Sequence, residues 1–231
     1  MPGEAASFKL VASHERPEMG LFDFLKGRPS IATPLALSDF LDSRSAFLVQ
    51  KCIYEYARAR SGVLSTKLFK EPAFQAAMET SRWRNYPVCL QNVSVMVEHA
   101  LRAEAGADAG AMREGLIAAA GDVCRRYPLP AGFEPDFWET AHRRVARRVR
   151  LAGMAAPHAI KDLPLETARE FAEHMPVHRD VRQFDFELVT NNQRVNLCRI
   201  HEDFVAMADA PALAHALIAG GADAEPALTA T

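Results

Sequence analysis

The sequence predicts an all-α fold: a single multi-helix bundle of about seven or eight helices around a long central helix at about 180–208. Three observations carry this prediction. Apolar residues recur at helical spacing along most of the chain, while alternation of β-branched residues is almost absent. Prolines 34, 72, 135, 164 and 211 each precede a helical pattern, where a missing N–H leaves no intrahelical partner unmet. Finally, the segment from Asp180 to Met207 carries apolar residues on two opposite sides. At 100° per residue, Phe186, Val189, Leu197, Ile200 and Phe204 form one arc, and Val181, Phe184, Leu188, Val195 and Cys198 form the other. A helix with two apolar stripes needs cover on both sides. At about 1.5 Å per residue it would span roughly 40 Å, the width of a small domain.

The expected helices are 35–60, 72–84, 87–105, 109–126, 135–153, 164–174, 180–208 and 211–219. Ser38 and Asp39 are candidate caps for the first, and Gly62 ends it. That helix is broadly apolar through Phe40, Leu41, Phe47, Leu48, Val49, Cys52, Ile53 and Tyr56, and is expected to pack on the 180–208 helix. The stretch Tyr127–Pro135 holds three prolines and reads as an extended connector. Residues 1–32 are expected to form a mobile N-terminal tail with a short apolar handle at Leu21–Leu25, and 220–231 a loose C-terminal tail. Between them, 33–219 form one helical domain. Met19 is an alternative chain start, which would make residues 1–18 an upstream extension.

Composition narrows the class. The chain has 231 residues, 49% hydrophobic and 24% charged, ordinary values for one globular domain. A net charge of −2 gives no global attraction to nucleic acid or acidic lipid. The 27 basic residues comprise 21 arginines and 6 lysines, a skew that points to a GC-rich bacterial genome. Cys52, Cys89, Cys124 and Cys198 sit among apolar neighbours, and no two share a metal-binding spacing. Reduced core thiols suit a cytoplasmic location. No apolar run approaches the 18 residues of a membrane span, which leaves only peripheral membrane contact open. Nucleotide-phosphate loops, a nucleophile elbow and a His-Glu-x-x-His motif are all missing, and the reading assigns no cofactor, no metal and no catalytic residue.

Several residue patterns could nevertheless carry function. Asp185, Asn192, Asn196, Arg199 and Asp203 share one arc of the 180–208 helix, with Glu187, Asn191, Arg194 and His201 on the other side. Trapped at helix seams, such groups either fix helix register or line a polar pocket in which an arginine grips an anionic ligand. His174 and His178 flank Pro176 on a turn ahead of that helix, beside Asp180, and could join the pocket as acid–base groups. Arg143, Arg144, Arg147, Arg148 and Arg150 form the polar side of the 135–153 helix, opposite Trp138, Val145 and Val149. Five guanidinium groups in eight residues make either a solvated face paired with nearby carboxylates or a partner-binding face. Arg82, Trp83 and Arg84 interleave charge with an aromatic ring, which reads as a partner patch or as a Trp plugging the core. Glu139 and His142 match half of a di-iron Glu-x-x-His pair, but no second copy exists, so a core or seam histidine is the simpler reading.

The function expected from this set is a non-catalytic helical interaction or assembly protein that binds a protein partner or a second copy. The alternative is a small-molecule-binding domain, or an enzyme, with a pocket lined by the 185–203 stripe.

Overall fold

The computed structural model describes residues 30–178, 180 and 184–222. Among the described residues the regular structure is helical, apart from one isolated parallel bridge between Ile31 and Ala208. The helices are α1 (Pro34–Ser61), α2 (Ser65–Leu68), α3 (Pro72–Ala105), α4 (Ala109–Arg125), α5 (Phe137–Met154), α6 (Ala168–Glu173), α7 (Phe186–Met207) and α8 (Ala210–Ala222). They pack around one core. Of the two expected tails, residues 1–29 and 223–231 lie outside the described residues. Ile31 is buried, and its amide donates to Met207 O at 2.9 Å, so the chain is pinned to the C-terminal end of α7 just before α1 begins.

Local chemistry explains the helix ends. Thr33, not Ser38 or Asp39, caps α1: its Oγ1 accepts from the Ala36 amide at 3.3 Å, and Pro34 fills the first turn. Ser38 lies one turn further in and is buried, with its hydroxyl 3.0 Å from both Pro34 O and Ala119 O. Gly62 and Gly106 stop α1 and α3 at φ 51°, a conformation that a Cβ disfavours.

The central helix is α3, and this corrects the sequence reading twice over. The expected break between 84 and 87 does not occur, although Pro87 lies inside the helix. An interior proline costs about 3 kcal/mol. Here every residue from Asn85 to Glu98 is buried, and that packing outweighs the local penalty. The helix at 180–208 is shorter than expected and lies at the edge of the core, to which it gives one face. Its regular part starts at Phe186, and Val189, Gln193, Asn196, Leu197, Ile200 and Phe204 form its single buried face. Phe40 of α1 meets it through Phe204, with ring centroids 5.2 Å apart. Much of the second apolar arc is bare: Phe184 is 83% exposed, Leu188 50%, Val195 51% and, beyond that arc, Val205 62%; Cys198 is half-buried, and Val181 lies outside the described residues. Two apolar stripes on a helical wheel give no information about which stripe is covered. The sequence signal that does mark the centre is the stretch 85–97, which holds no charged residue at all.

A close contact joins α4 to α8. A Cβ on Gly115 would overlap the Leu217 carbonyl, and one on Gly221 would overlap that of Ala111. These are backbone atoms that cannot swing away, so the two helices approach to a distance only glycine permits. Gly110, on the same helix, faces open space. Gly115→Ala is therefore expected to destabilise the fold by about 1–3 kcal/mol, as overpacking does. Gly110→Ala is expected to be neutral or stabilising by up to about 1 kcal/mol. Urea unfolding midpoints measure both, and equal midpoints for the two variants would contradict the close packing.

Candidate functional site

The structure separates the residues that the sequence grouped into one polar stripe. Asp185 is buried at the start of α7 and does not cap its own helix. Its carboxylate instead takes the Tyr56 hydroxyl at 2.7 Å and the Arg60 guanidinium, through Nε at 2.6 Å. It thereby ties α7 to the end of α1. Asn196 Nδ2 donates to Asn192 Oδ1 at 2.6 Å and to Asn192 O at 2.9 Å, so these two amides engage each other within one turn. Arg199 is exposed, and Asp203 pairs with Arg44 of α1 at 3.1 Å. The buried seam of α7 uses a residue that the stripe did not include: Gln193 Oε1 accepts from Asn92 Nδ2 at 3.3 Å, and Asn92 Oδ1 accepts from Thr167 at 3.1 Å.

The histidines also part company. His178 is exposed and sits 3.4 Å from Asp180. His174 is half-buried, and burial lowers its pKa below the ordinary value. His201 lines a groove of about 440 Å³ with His99, His158, Lys161, Cys198 and Glu202, between α3, residues 158–161 and α7. Burial lowers the pKa of His201 too. Among the described residues, no three His, Cys, Asp or Glu side chains are grouped to hold a metal ion. Glu139 and His142 are engaged separately, the former with Arg143 at 2.5 Å and the latter with Ile117 O at 3.1 Å.

Beside that groove lies a buried ion cluster that sequence reasoning missed. Glu98 is fully buried, and Arg102 grips both its carboxylate oxygens at 3.0 and 2.6 Å. Arg113 approaches at 3.4 Å and His99 at 3.2 Å. Arg102 also donates to Ala152 O and Ala155 O at 2.7 and 2.8 Å, closing the C-terminal end of α5 against α3. Burial pushes the Glu98 carboxyl up, but hydrogen bonds from His99 and Arg102 outweigh it and hold the pKa below the ordinary value. Glu98 and Arg102 stand four residues apart, a helical pair visible in the sequence. Arg113 comes from another helix and was not.

The two partner-binding candidates are largely engaged within the chain, although Arg84, Arg143, Arg147 and Arg150 are exposed. On α5, Arg143 pairs with Glu139 and with Asp136 at 3.5 Å, and Arg144 forks onto Glu170. Arg148 meets Glu166 at 2.8 Å, and Arg150 forks onto Glu114 at 2.8 and 2.6 Å. Arg147 alone of the five makes no ion pair among the described residues, and it is exposed. Trp83 is buried; its Nε1 donates to Glu79 at 2.9 Å, and its ring meets Tyr127 at 5.5 Å and Trp138 at 5.9 Å. Arg82 pairs with Glu79 at 3.2 Å, and Arg84 lies over the Phe133 ring at 5.6 Å. This aromatic cluster encloses Asp42, which takes hydroxyl donations from Tyr86 and Tyr127 at 2.6 Å each.

The outer side of α7 is open. On the wheel, Leu188, Val195 and Cys198 lie opposite Val189, Gln193 and Ile200. Cys198 is half-buried, whereas Cys52, Cys89 and Cys124 are buried. Burial pushes all three of those thiols up, Cys124 to about 11, as expected of inert core cysteines.

Removing the Glu98 carboxylate leaves Arg102 and Arg113 facing each other in the core. Glu98→Gln is expected to cost about 3–5 kcal/mol. Because the folded pKa of Glu98 lies below its unfolded value, its stabilisation is present above about pH 4.3 and lost as pH falls through the folded value. Stability curves from about pH 6 to 3 should fall more steeply for the native chain than for Glu98→Gln, and parallel curves would contradict this role. No family model, curated protein or solved structure matches the chain.

Proposed function

We propose that the protein is a non-catalytic interaction module, a cytoplasmic bacterial protein whose outer α7 surface docks a helix of a protein partner. The observation that supports this reading is the bare apolar side of α7, where Leu188 and Val195 are half exposed, with exposed Phe184 just ahead of the helix and exposed Val205 flanking them. Monomeric proteins rarely leave such residues in one row without use. An apolar helical row offers the spacing that a partner helix reads at i, i+3/4 and i+7. No described helix is long and apolar enough to cross a membrane, so that row does not serve as a span.

The arginine side of α5 supports the reading less, since four of its five guanidinium groups already hold carboxylates of this chain. The i, i+4 and inter-helix pairs there keep their charge satisfied without a partner. Arg147 is the residue of that helix best placed to touch another molecule.

The double variant Leu188→Glu/Val195→Glu changes only exposed side chains, so the fold should hold to within about 0.5 kcal/mol per site. Captured from cell extract with native protein as reference, a specific partner should be lost at least tenfold, about 1.4 kcal/mol. Arg147→Glu should keep it. An unchanged partner list for the double variant, or loss through Arg147→Glu alone, would overturn α7 as the docking face.

A further inference from the structure

We infer that the groove between α3, residues 158–161 and α7 binds the phosphate group of a small molecule, as free phosphate or as a phosphomonoester, through His99, Lys161 and His201. The site is separate from the outer row of α7 and needs no protein partner. Three observations carry it.

The first is a buried ring with one edge unused. The His99 side chain is 4% exposed. Its Nδ1 faces two oxygens, Val95 O at 3.0 Å and a carboxylate oxygen of Glu98 at 3.2 Å, so that nitrogen carries the ring hydrogen. Glu98 is itself held by Arg102 and Arg113, which fixes the ring from behind. On the far side of the ring, in the wall of the groove, Nε2 is buried and has no hydrogen-bond partner. A buried polar atom left in this state calls for a partner. His158 stacks on the ring with centroids 6.4 Å apart, and it is exposed, so it turns aside without disturbing the core.

The second is the nature of the lining. The groove encloses about 440 Å³ and presents His99, His158, Lys161 and His201 against one carboxylate, exposed Glu202. The Lys161 ammonium makes no ion pair among the described residues and is free to meet an anion.

The third is how the wall is held. Arg194 and His201 share one flank of α7, between its buried face and its outer row. Arg194 Nη1 donates to Lys161 O at 3.0 Å and fixes that segment against α7. Arg194 Nε is buried and has no hydrogen-bond partner, a second unused polar atom beside the same segment.

These features select phosphate among anions. With Nδ1–H committed, Nε2 accepts a hydrogen bond when the imidazole is neutral and donates one when it is protonated. A phosphate group gains and loses its last proton near neutral pH. It therefore supplies P–OH to the neutral ring or P–O⁻ to the charged one, and its remaining oxygens face Lys161 and His201. Sulfate has the same shape but no proton to give, so it serves only the charged ring. A phosphate ion leaves part of the groove empty beside Ala100 and Ile160, which gives a phosphomonoester room for its organic part.

The test follows the His99 Nε2 signal of the full-length chain by histidine-selective nitrogen NMR at about pH 7. Inorganic phosphate, phenyl phosphate and sulfate are titrated at matched ionic strength. Saturable shifts are expected with both phosphates, at an affinity at least about tenfold above that for sulfate. Lys161→Ala removes an exposed side chain, so the fold holds, and the phosphate affinity should fall at least about fivefold. Tighter binding of phenyl phosphate supports a phosphomonoester as the ligand, and equal or weaker binding supports free phosphate. No saturable shift with either phosphate would overturn the site. Equal affinity for sulfate would reduce it to an adventitious anion only, and an unchanged affinity in Lys161→Ala would equally contradict it. None of these readouts involves a protein partner, so the docking face on α7 stands or falls separately.

Discussion

The fold depends on one constraint: the 85–98 stretch of α3 must be enclosed on all sides. From Asn85 to Val97 it carries no charge, and every residue there is buried. A helix of this kind has no solvent face to turn outward. Burial of apolar surface at roughly 25 cal/mol per Å² is the dominant favourable term in folding, and α3 concentrates it. The other helices take their positions from that demand. α1 and α5 lie against α3, α4 and α8 close the far side through their glycine contact, and α7 covers one remaining flank with a single face.

Polar groups mark the edges of that enclosed rod. Glu98 follows the last of the uncharged residues, and its carboxylate draws in Arg102, Arg113 and the carbonyls at the end of α5. At the opposite end, Asp42 gathers Tyr86 and Tyr127. Asp185 does the same for Tyr56 and Arg60 at the junction of α1 and α7. Each carboxylate is buried or nearly so and each is met by donors from a different helix, which is the condition for burying charge without a large penalty. These three clusters specify which helix ends meet.

The all-helical class and most helix positions were legible in the sequence because apolar periodicity and N-terminal prolines report local geometry directly. The identity of the central helix was not. Periodicity gave the 180–208 segment two apolar sides, and nothing local states that Leu188 and Val195 stay bare while Asn85 and Asn92 are buried. Pro87 misled in the same way: its local penalty is real, and tertiary packing overrides it. The arginine side of α5 was legible as a pattern, and its i, i+4 partner Glu139 could be read off. Glu114, Glu166 and Glu170 reach it from other elements, and only the fold brings them there. The proposed docking row combines both cases, since its apolar spacing was visible and its exposure was not.

The account's central claim is that α3 is the enclosed rod and α7 an outer helix. Native-state amide hydrogen exchange tests this most directly. Amides of residues 85–97 should exchange only through global unfolding, with the largest protection in the chain. Those on the outer turns of α7 around Leu188 and Val195 should open at markedly lower free energy. Equal, global-level protection across α7, with faster local exchange inside 85–97, would contradict the arrangement.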